Sequence, residues 1–530
     1  MEGTRTCQKV EVEDNIVIFP FMAQGHIIPC LALALHIEKV TKKKKNSRRF
    51  IVNLVNTPHN VSSLRSSLPP SSSVRLLEIP FSASAADPCL PPGIENTDVL
   101  PYQLLVHLLH ASTSLRPAFT ALVSDLISDS NTTTTSGRRK KKPICIIIAD
   151  IFFGWTADVA RELGVFHAVF SAAGSYGLAC YYSAWVNIPN RDRSVGGDEV
   201  EEEFELPDFP EVSKVHVSQL PLSIIQADGT DPWSLFQAKN LPAWANSDGI
   251  LFNTVEEFDS IGFKYFLRKL GRPVWAVGPI LLSPESRSTI STNPCRNSDL
   301  CAGWLDSKPL NSVLYISFGS QNTIWDSHMM QLAMALEASG CCFIWVVRPP
   351  LGSDINSELE AEGCLPQGFE RRLEESNKGL LVHKWAPQVE ILSHRAVSAF
   401  LTHCGWNSVL EGLSAGVPLL GWPMAAEQFF NSRLLEAELG VSVEVARGKT
   451  SDMQWQDVRD KIQMVMGETE KGRDMRRRAS QVKSIIKGAM EDGEADGGKR
   501  GASLKALDEF LEAAMAAREA AREEEEEELI

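Results

Sequence analysis

The chain has little positive charge for its size and no unbroken apolar run long enough to cross a membrane. Its 530 residues include 52 lysines and arginines against 67 aspartates and glutamates, a formal charge of -15. This balance disfavours nucleic acid as a partner, because phosphate backbones are bound by basic surfaces. The long uncharged stretch 163–190 is broken by glycines, a histidine and a proline, and no cleavable leader opens the sequence. We therefore expect neither export nor a membrane span.

Cysteine is sparse and offers no framework of disulfides. The 11 cysteines are scattered, an odd number without any C-x-x-C pair. This usage fits a reducing compartment, so a cytoplasmic location is expected. Asn60 and Asn131 begin N-x-S/T sequons and should then stay unmodified, because glycosylation requires the secretory route.

Several signatures of catalysis are also missing. The sequence has no G-x-G-x-x-G fingerprint, no H-E-x-x-H and no D-x-D pair, so neither a nicotinamide or flavin enzyme nor a dedicated metal site has positive support. The segment 493–499 resembles a Walker A loop, but Arg500 stands where a serine or threonine would bind magnesium. A flexible glycine-rich loop is the better interpretation.

One sequence motif of hydrolases is present, but the predicted helix and strand around it are in the opposite order to the one that the motif requires. The segment 412–416 spells G-x-S-x-G, a nucleophile elbow that needs a strand before it, a helix after it, and a later acid and histidine. Here 406–413 is predicted as a helix and 417–421 as the following strand, and no histidine follows His403. We interpret Ser414 as a small residue at a helix end and keep a hydrolase only as a disfavoured alternative.

Short β-branched or apolar runs alternate with segments of helical apolar spacing along the chain. This alternation predicts parallel sheets covered by helices. A stretch rich in Ser, Pro, Thr and Asn, 281–297, has the composition of an interdomain connection and divides the pattern into two α/β units. The predicted strands are 15–20, 50–55, 144–149, 165–170 and 249–253 in the first unit, and 313–318, 343–347, 380–382, 396–401 and 417–421 in the second.

Two titratable residues mark strand ends in the first unit. His26 follows the first predicted strand in a glycine-containing turn, before Pro29, which is expected to begin a helix. Asp150 directly follows the strand 144–149. Ligands of open α/β sheets bind at carboxyl ends of strands, where a histidine base and an orienting carboxylate could meet. Taken alone, His26 fits a backbone-bonded histidine about equally well, and Asp150 is more typical of a helix cap.

The densest cluster of polar and aromatic residues lies in the second unit. The segment 403–408 follows a predicted strand and opens a helix, so its backbone N–H groups suit a phosphate, to which Ser320 could add a contact. Trp385 offers a flat face for a base, and Glu411 can accept from ribose hydroxyls. Each residue alone is more typical of a cap or a packed core, and only their clustering favours a ligand site.

This cluster resembles the signature box of the plant family 1 UDP-dependent glycosyltransferases. The resemblance rests on W-A-P-Q at 385–388, H-C-G-W-N-S at 403–408 and E-Q at 427–428, and it covers nearly the whole chain, including the loop of His26. It implies the GT-B fold, an α/β architecture of two Rossmann-like domains whose parallel sheets face each other across a cleft. The implied domains are an N-terminal acceptor-binding domain at 1–283, a linker at 284–298, a C-terminal UDP-sugar-binding domain at 299–480, and helices returning to the N-terminal domain with an acidic tail at 481–530.

The resemblance also implies a role for each residue of the cluster. Trp385 would stack on uracil, Ala386 would bind its edge through the backbone, and Gln388 and Glu411 would hold the ribose. The diphosphate contacts would come from Ser320, His403, Asn407 and Ser408, with Trp406 supporting their loop. Trp422, Glu427 and Gln428 would meet the sugar, and a glutamine at the last position favours UDP-glucose.

The implied reaction is an inverting transfer. His26 would deprotonate an acceptor hydroxyl, Asp150 would orient His26, and the acceptor oxygen would displace UDP to give a β-glucoside. UDP would leave with its charge balanced by a helix N-terminus, so neither a cofactor nor a metal is required. The expected partners are a UDP-sugar and a small lipophilic acceptor, bound by a monomer.

The acceptor itself is left open. Loops 81–101, 176–190 and 207–233 are rich in Phe, Trp, Leu and Tyr, which predicts an apolar pocket that flavonoids, simple phenolics and terpenoids fit equally. The basic insert at 42–49 and the tail after residue 511 are longer than the family pattern needs, and the loop 171–174 lacks the threonine often found there. A nucleotide-sugar-binding protein without catalysis remains the main alternative.

Overall fold

Two parallel β-sheets, one in each half of the chain, form the framework of the protein. The structure is a computed structural model that describes residues 12–43, 48–128, 144–187, 203–282, 294–354, 357–493 and 499–527. The strands are β1 (Val12–Phe19), β2 (Arg48–Asn56), β3 (Arg75–Glu78), β4 (Cys145–Asp150), β5 (Phe166–Ser171), β6 (Glu203–Phe204), β7 (Val215–His216), β8 (Gly249–Phe252), β9 (Val274–Ala276), β10 (Val313–Ser317), β11 (Cys342–Val347), β12 (Gly379–His383), β13 (Val397–Thr402), β14 (Leu419–Gly421) and β15 (Ser442–Glu444).

Helices connect these strands and cover both sheets. In the N-terminal half (12–282) they span Gln24–Lys43, Pro58–Arg65, Ala83–Ala86, Leu105–Ala111, Arg116–Ser128, Thr156–Leu163, Ser175–Asn187, Leu222–Ile225, Pro232–Ala243 and Glu256–Leu270. In the C-terminal half (294–527) they span Pro294–Asp306, Asp326–Ser339, Phe369–Ser376, Gln388–Ser393, Trp406–Ala415, Gln428–Arg433, Trp455–Met466, Glu470–Ala489 and Ala502–Glu527.

The first sheet has seven parallel strands in the order β3-β2-β1-β4-β5-β8-β9. Every residue of β4 is buried, as expected for a strand covered by helices on both faces. The order reverses between β1 and β4, which pair directly, with Phe19 opposite Ala149. The carboxyl ends of these two strands are therefore neighbours at a topological switch point, the place where open α/β sheets bind ligands.

The second sheet repeats this plan with six parallel strands in the order β12-β11-β10-β13-β14-β15. Its switch point lies between β10 and β13, where Ser317 pairs with Thr402. The loops that leave β10 and β13 are those that carry Ser320 and His403. Topology alone thus brings together two segments that are some eighty residues apart in the sequence.

The predicted α/β class, with two parallel sheets, is confirmed, and each predicted strand overlaps an observed one. The strands that the pattern missed are β3, β9 and β15, which have only three or four residues and lie at sheet edges, and the two-residue strands β6 and β7, which pair with each other. Runs this short show neither alternation nor a continuous apolar stretch, so they carry too little signal for a prediction.

The first helix differs from its prediction. It begins at Gln24, and Pro29, expected at its start, lies inside it. Because proline has no N–H, the carbonyl of Gly25 loses its partner within the helix. That carbonyl instead accepts a hydrogen bond from Nδ2 of Asn407, in the C-terminal half, at 2.9 Å. His26 consequently lies in the first turn of a helix, not in a free loop.

The last helix returns to the N-terminal half. The ring of Phe510 lies 5.3 Å from that of Trp275 and 6.0 Å from that of Phe166, and Arg518 donates to the carbonyl of Gly164 at 2.8 Å. The acidic run after Arg518 continues this helix to Glu527.

Two predicted boundaries need correction. The limit at 480 falls inside the helix Glu470–Ala489, which packs against Trp406–Ala415 in the C-terminal half, so the return begins only after that helix. The helix Pro294–Asp306 begins within the predicted linker 284–298, and the rest of that linker, like Asn131, lies outside the described residues.

Two general features concern cysteine and hydropathy. The nine cysteines whose pairing the structure describes are all free thiols. Among the described residues, no helix combines the length and the apolar character that crossing a bilayer requires.

Candidate active site

A cavity of about 450 Å³ lies between the carboxyl ends of the two sheets. Both halves of the chain line it, so it is the cleft that the two switch points predict. From the N-terminal half the lining includes His26, Phe21, Phe152, Tyr102, Leu105, Tyr181 and Trp233. From the C-terminal half it includes Ser320, Trp385, Ala386, Gln388, His403, Trp406, Asn407, Ser408, Glu427 and Gln428.

His26 and Asp150 form a close pair at the first switch point. Nδ1 of His26 lies 2.7 Å from Oδ2 of Asp150, and the backbone N–H of Phe152 donates to the other carboxylate oxygen at 3.0 Å. The Asp150 side chain is 1% exposed, whereas that of His26 is 21% exposed, on the cavity side. A carboxylate beside Nδ1 keeps the proton on that nitrogen, which leaves the Nε2 lone pair free to accept one.

The carboxylate also shifts the titration of the histidine. Burial lowers the pKa of His26, but the charge and hydrogen bond of Asp150, with a smaller contribution from Glu427, outweigh it and raise the pKa above its ordinary value. The site therefore stabilises an imidazolium. This is the property required of a base that holds a proton during a reaction.

Aromatic and aliphatic side chains surround this pair. The rings of Phe152 and Phe21 lie 5.2 and 5.7 Å from that of His26. Tyr181 and Trp233 fall in the loops predicted to bind the acceptor, whereas Tyr102 lies just beyond one of those loops. Sequence reasoning missed Phe152 and Tyr102, although the position of Phe152 two residues after Asp150 was a usable signal.

The opposite wall is centred on the start of the helix Trp406–Ala415. Gly405 caps this helix next to His403, and a Cβ at Gly405 would lie only 2.3 Å from the His403 ring, so any larger residue there would displace that ring. His403 is buried, which lowers its pKa to about 4 and keeps it neutral. Its Nδ1 has no hydrogen-bond partner among the described residues. With its proton on this buried nitrogen, the neutral ring would offer an N–H donor beside a helix N-terminus, which fits an anionic ligand such as a diphosphate.

A hydrogen-bond network joins three more of the predicted residues. Gln388 accepts from the Tyr315 hydroxyl at 3.2 Å, and its amide donates to Ser408 Oγ at 3.0 Å and to Glu411 Oε2 at 2.7 Å. Glu411 is 5% exposed and does not line the cavity, so in this structure it positions Gln388.

Trp385 is fixed mainly through its backbone. Its carbonyl accepts from Asn297 Nδ2 at 2.7 Å, and its N–H donates to the carbonyl of His383 at 2.8 Å. The side chain is half-buried at the cavity wall, beside Ala386. An indole held in this way presents a preformed surface for stacking.

Glu427 and Gln428 complete this wall. The side-chain carbonyl of Gln428 accepts from the N–H groups of Met424 and Ala425 at 3.1 and 3.0 Å. Because that oxygen is committed to the turn, the amide can offer the cavity only donors. Burial raises the pKa of Glu427.

Two further tryptophans of the signature segment, Trp422 and Trp406, are almost completely buried. Trp422 is completely buried: its N–H donates to the carbonyl of Gly448 at 3.0 Å, and its ring packs edge-on against Phe318. The Trp422 side chain therefore does not line the cavity in this structure, and its contact with the sugar stays a prediction. Trp406 does support its loop, since its N–H donates at 2.8 Å to the carbonyl of Asn253 in the other half.

The hydrolase alternative finds no support. Ser414 lies one residue before the end of the helix Trp406–Ala415, and its Oγ has no hydrogen-bond partner among the described residues. A serine nucleophile requires a base within hydrogen-bonding reach.

The two sheets and the cleft between them define a GT-B glycosyltransferase. Residues 290–478 match the family model "UDP-glucoronosyl and UDP-glucosyl transferase". The chain is 48% identical to UDP-glycosyltransferase 92A1 of Arabidopsis thaliana, over 94% of this chain and 97% of that protein. It is 38% identical to crocetin glucosyltransferase 3 of Crocus sativus, over 80% and 85%.

A solved structure agrees with this relationship. The enzyme UGT73P12 of Glycyrrhiza uralensis, in complex with glycyrrhetinic acid 3-O-monoglucuronide, superposes with a TM-score of 0.78 and 27% identity, covering 97% of this chain and 98% of that one. The chain therefore belongs to the plant family 1 UDP-glycosyltransferases, and the resemblance inferred from its signature box is confirmed.

Proposed function

We propose that this UDP-glycosyltransferase transfers glucose from UDP-glucose to a hydroxyl of a small lipophilic acceptor and gives a β-glucoside. The observation that carries the proposal is the His26–Asp150 pair, 2.7 Å apart, in the same cavity as the start of the helix Trp406–Ala415. One cavity thus holds a proton acceptor and an anion-binding helix end.

The donor is assigned to the C-terminal wall. Uracil would stack on Trp385 with its edge at the backbone of Ala386, and Gln388, held by Glu411, would meet the ribose. Glu427 and Gln428 lie at the same wall for the sugar hydroxyls. The diphosphate would lie at the helix start, against Ser320, His403, Asn407 and Ser408.

The reaction would be a single displacement. The acceptor hydroxyl gives its proton to Nε2 of His26 while its oxygen forms a bond to the anomeric carbon. The bond from that carbon to the β-phosphate oxygen breaks, and UDP leaves with the bonding electrons. Attack opposite to the leaving group inverts the α-linkage of UDP-glucose, and Asp150 stabilises the imidazolium that forms.

The charge of departing UDP would be balanced by the donors of the helix N-terminus and of His403. We therefore propose a reaction without a metal or a cofactor. Activity that is unchanged by EDTA would support this proposal, and loss of activity that magnesium restores would contradict it.

The acceptor is assigned to the N-terminal wall, whose Phe, Tyr, Leu and Trp side chains favour flat or lipophilic molecules such as flavonoids, phenolics and terpenoids. Glucose as the donor sugar is supported by the name of the Crocus sativus relative, a glucosyltransferase. We also propose a cytoplasmic monomer, which the free thiols fit and which light scattering would test.

The test is a set of turnover assays with the full-length protein. UDP-glucose, UDP-galactose, UDP-xylose and UDP-glucuronate are each combined with a panel of phenolic and terpenoid alcohols, and products are identified by mass spectrometry and by the anomeric proton coupling. Wild type should give β-glucosides, while His26→Asn should give almost none yet bind UDP-glucose equally in calorimetry.

Three other outcomes would overturn parts of the proposal. Faster turnover with another sugar would change the donor, and α-linked products would contradict inversion. Binding of UDP-glucose without products from any acceptor would favour the alternative of a nucleotide-sugar-binding protein.

A further inference from the structure

A mixed group of metal-binding side chains lies on the N-terminal half, outside the cavity. Within the described part of the chain, Asp87, Cys89 and His107 are the one set of three such residues close enough to share an ion. One donor atom from each lies within 4.8 Å of the other two. Asp87 and Cys89 follow the helix Ala83–Ala86, whereas His107 lies on the helix Leu105–Ala111, so two separate segments converge.

The existing contacts already hold these side chains close together. Oδ2 of Asp87 is 2.7 Å from Nδ1 of His107, and Oδ1 accepts the backbone N–H of Cys89 at 2.9 Å. Bonds from zinc to N, O and S ligands are about 2.0 to 2.3 Å long, which places ligand atoms about 3.3 to 3.7 Å apart. An ion would therefore need displacements of only about 1 Å.

The chemical types of the three ligand atoms determine which metal ion would bind. A thiolate and an imidazole together favour zinc and related transition metals over magnesium or calcium, which prefer oxygen ligands. Cys89 is exposed and the other two side chains are partly exposed, so water can complete the fourth position. We propose that Asp87, Cys89 and His107 bind one divalent ion of the zinc type.

Binding would be coupled to loss of the thiol proton. Zinc binds cysteine as the thiolate, so the Cys89 thiol must lose its proton when the ion binds. When the ion binds, a metal–sulfur bond forms and the S–H proton passes to solvent. One proton per ion should therefore be released from Cys89.

The three proposed ligands lie on segments that are connected with the cavity, so a bound ion would affect those segments. His107 shares its helix with Leu105, which lines the cavity, and the loop of Asp87 and Cys89 belongs to the segment predicted to bind the acceptor. An ion would fasten this loop to that helix. It would raise the thermal stability of the protein with the logarithm of its concentration once that concentration exceeds the Kd.

The test uses the full-length protein, first treated with EDTA and then dialysed. Zinc binding is measured by competition with a chromophoric chelator and by calorimetry in two buffers of different ionisation enthalpy, which reports proton release. Cobalt(II) is the optical probe, because a thiolate ligand adds a sulfur-to-metal charge-transfer band. We expect one zinc ion per chain, a raised melting temperature, and this band in the cobalt form.

Two variants and a matched control identify the ligands. Cys89→Ser and His107→Ala should each weaken zinc binding about tenfold or more, and Cys89→Ser should abolish the charge-transfer band. The control is His394→Ala, which removes another His–Asp pair, 3.2 Å apart, on the C-terminal half. It should leave binding within twofold of wild type.

Absence of saturable binding of either metal would overturn the proposal. Equal binding by wild type and by both variants would also overturn it, by showing that the ion lies elsewhere. Circular dichroism checks that the variants remain folded, and Asp87→Asn provides an independent third variant if either one is unstable.

Discussion

The wall of the cavity that comes from the N-terminal half differs in kind from the wall that comes from the C-terminal half. The N-terminal wall has one His–Asp pair surrounded by apolar rings, whereas the C-terminal wall is mostly hydrogen-bonding groups at a helix start. Directional hydrogen bonds suit a ligand of constant polar shape, and apolar contact suits ligands of varied shape. If donor and acceptor bind as proposed, donor recognition depends mainly on polar groups around one helix start, and acceptor recognition depends mainly on apolar contact.

The histidines of the two walls also differ in the direction in which their pKa is shifted. Asp150 raises the pKa of His26, whereas burial without a charged partner lowers that of His403 to about 4. The first histidine can therefore take and hold a proton, and the second stays a neutral donor. The same residue type has opposite pKa shifts in the two walls because the charge beside it differs.

The largest effect should come from Asp150→Asn. Loss of the carboxylate removes the stabilisation of the imidazolium, so kcat/KM should fall by about 10²- to 10⁴-fold. The Kd of UDP-glucose, measured by calorimetry, should stay within twofold because the donor wall is untouched. Asp158→Asn, at an exposed ion pair of the same half, is the control and should keep full activity. If the affinity for UDP-glucose fell by the same factor as kcat/KM, Asp150 would also contribute to donor binding, and this would argue against separate walls for the two ligands.

The pH profile of the same variant should also shift. A base works in its neutral form, so the kcat/KM of wild type should fall as the pH drops through the raised pKa of His26. Without the charge of Asp150, burial is left to lower that pKa, and the midpoint of the residual activity should move to lower pH. The measurement is kcat/KM against pH between about 5 and 9. An unchanged midpoint would show that another group titrates.

Next in size is Trp385→Ala, at the donor wall. Stacking of a base on an aromatic ring contributes about 1 to 3 kcal/mol, so the KM for UDP-glucose should rise by about 5- to 150-fold. The KM for the acceptor should be unchanged in steady-state assays. Trp325→Ala, at an exposed tryptophan of the same half, serves as the control. A matching rise in the acceptor KM would mean that the two ligands share this residue.

A smaller effect is expected from Leu105→Ala, at the apolar wall. Loss of part of a side chain from a binding surface costs about 1 kcal/mol, so the acceptor KM should rise about fivefold while the donor KM stays the same. Leu267→Ala, half exposed at 50% on the same half, is the matched control. No change for any acceptor would place acceptor binding elsewhere in the cleft.

The smallest effect on donor kinetics should come from Trp422→Phe. Because Trp422 is buried and bonded to Gly448, this change should lower the free energy of unfolding by about 1 to 2 kcal/mol and leave the KM for UDP-glucose within twofold. The midpoint of thermal unfolding and donor kinetics are measured together, with Trp385→Phe as the comparison. A large rise in the KM for UDP-glucose would instead support the predicted contact of Trp422 with the sugar.

Much of this molecule could be predicted from residue patterns. The strands of both sheets away from their edges, the helix 406–413 and the positions of His26 and Asp150 after strands β1 and β4 all follow from local composition and spacing. The edge strands β3, β9 and β15 could not be predicted, because three or four residues show no periodicity. The start of the first helix was also missed, since Pro29 is tolerated only through the partner that Asn407 gives to the Gly25 carbonyl.

The sequence by itself determined the α/β class, the donor signature and the chemical character of each wall, because these depend on residue type and short-range order. Only the tertiary structure decided which side chains face the cavity. Trp385 and Trp422 both belong to one signature segment, yet one lines the cleft and the other lies in the core. Strand order likewise brought Asp150 to His26, across 124 positions in the chain. Such contacts depend on how strands pair and turns point side chains, which local sequence does not specify.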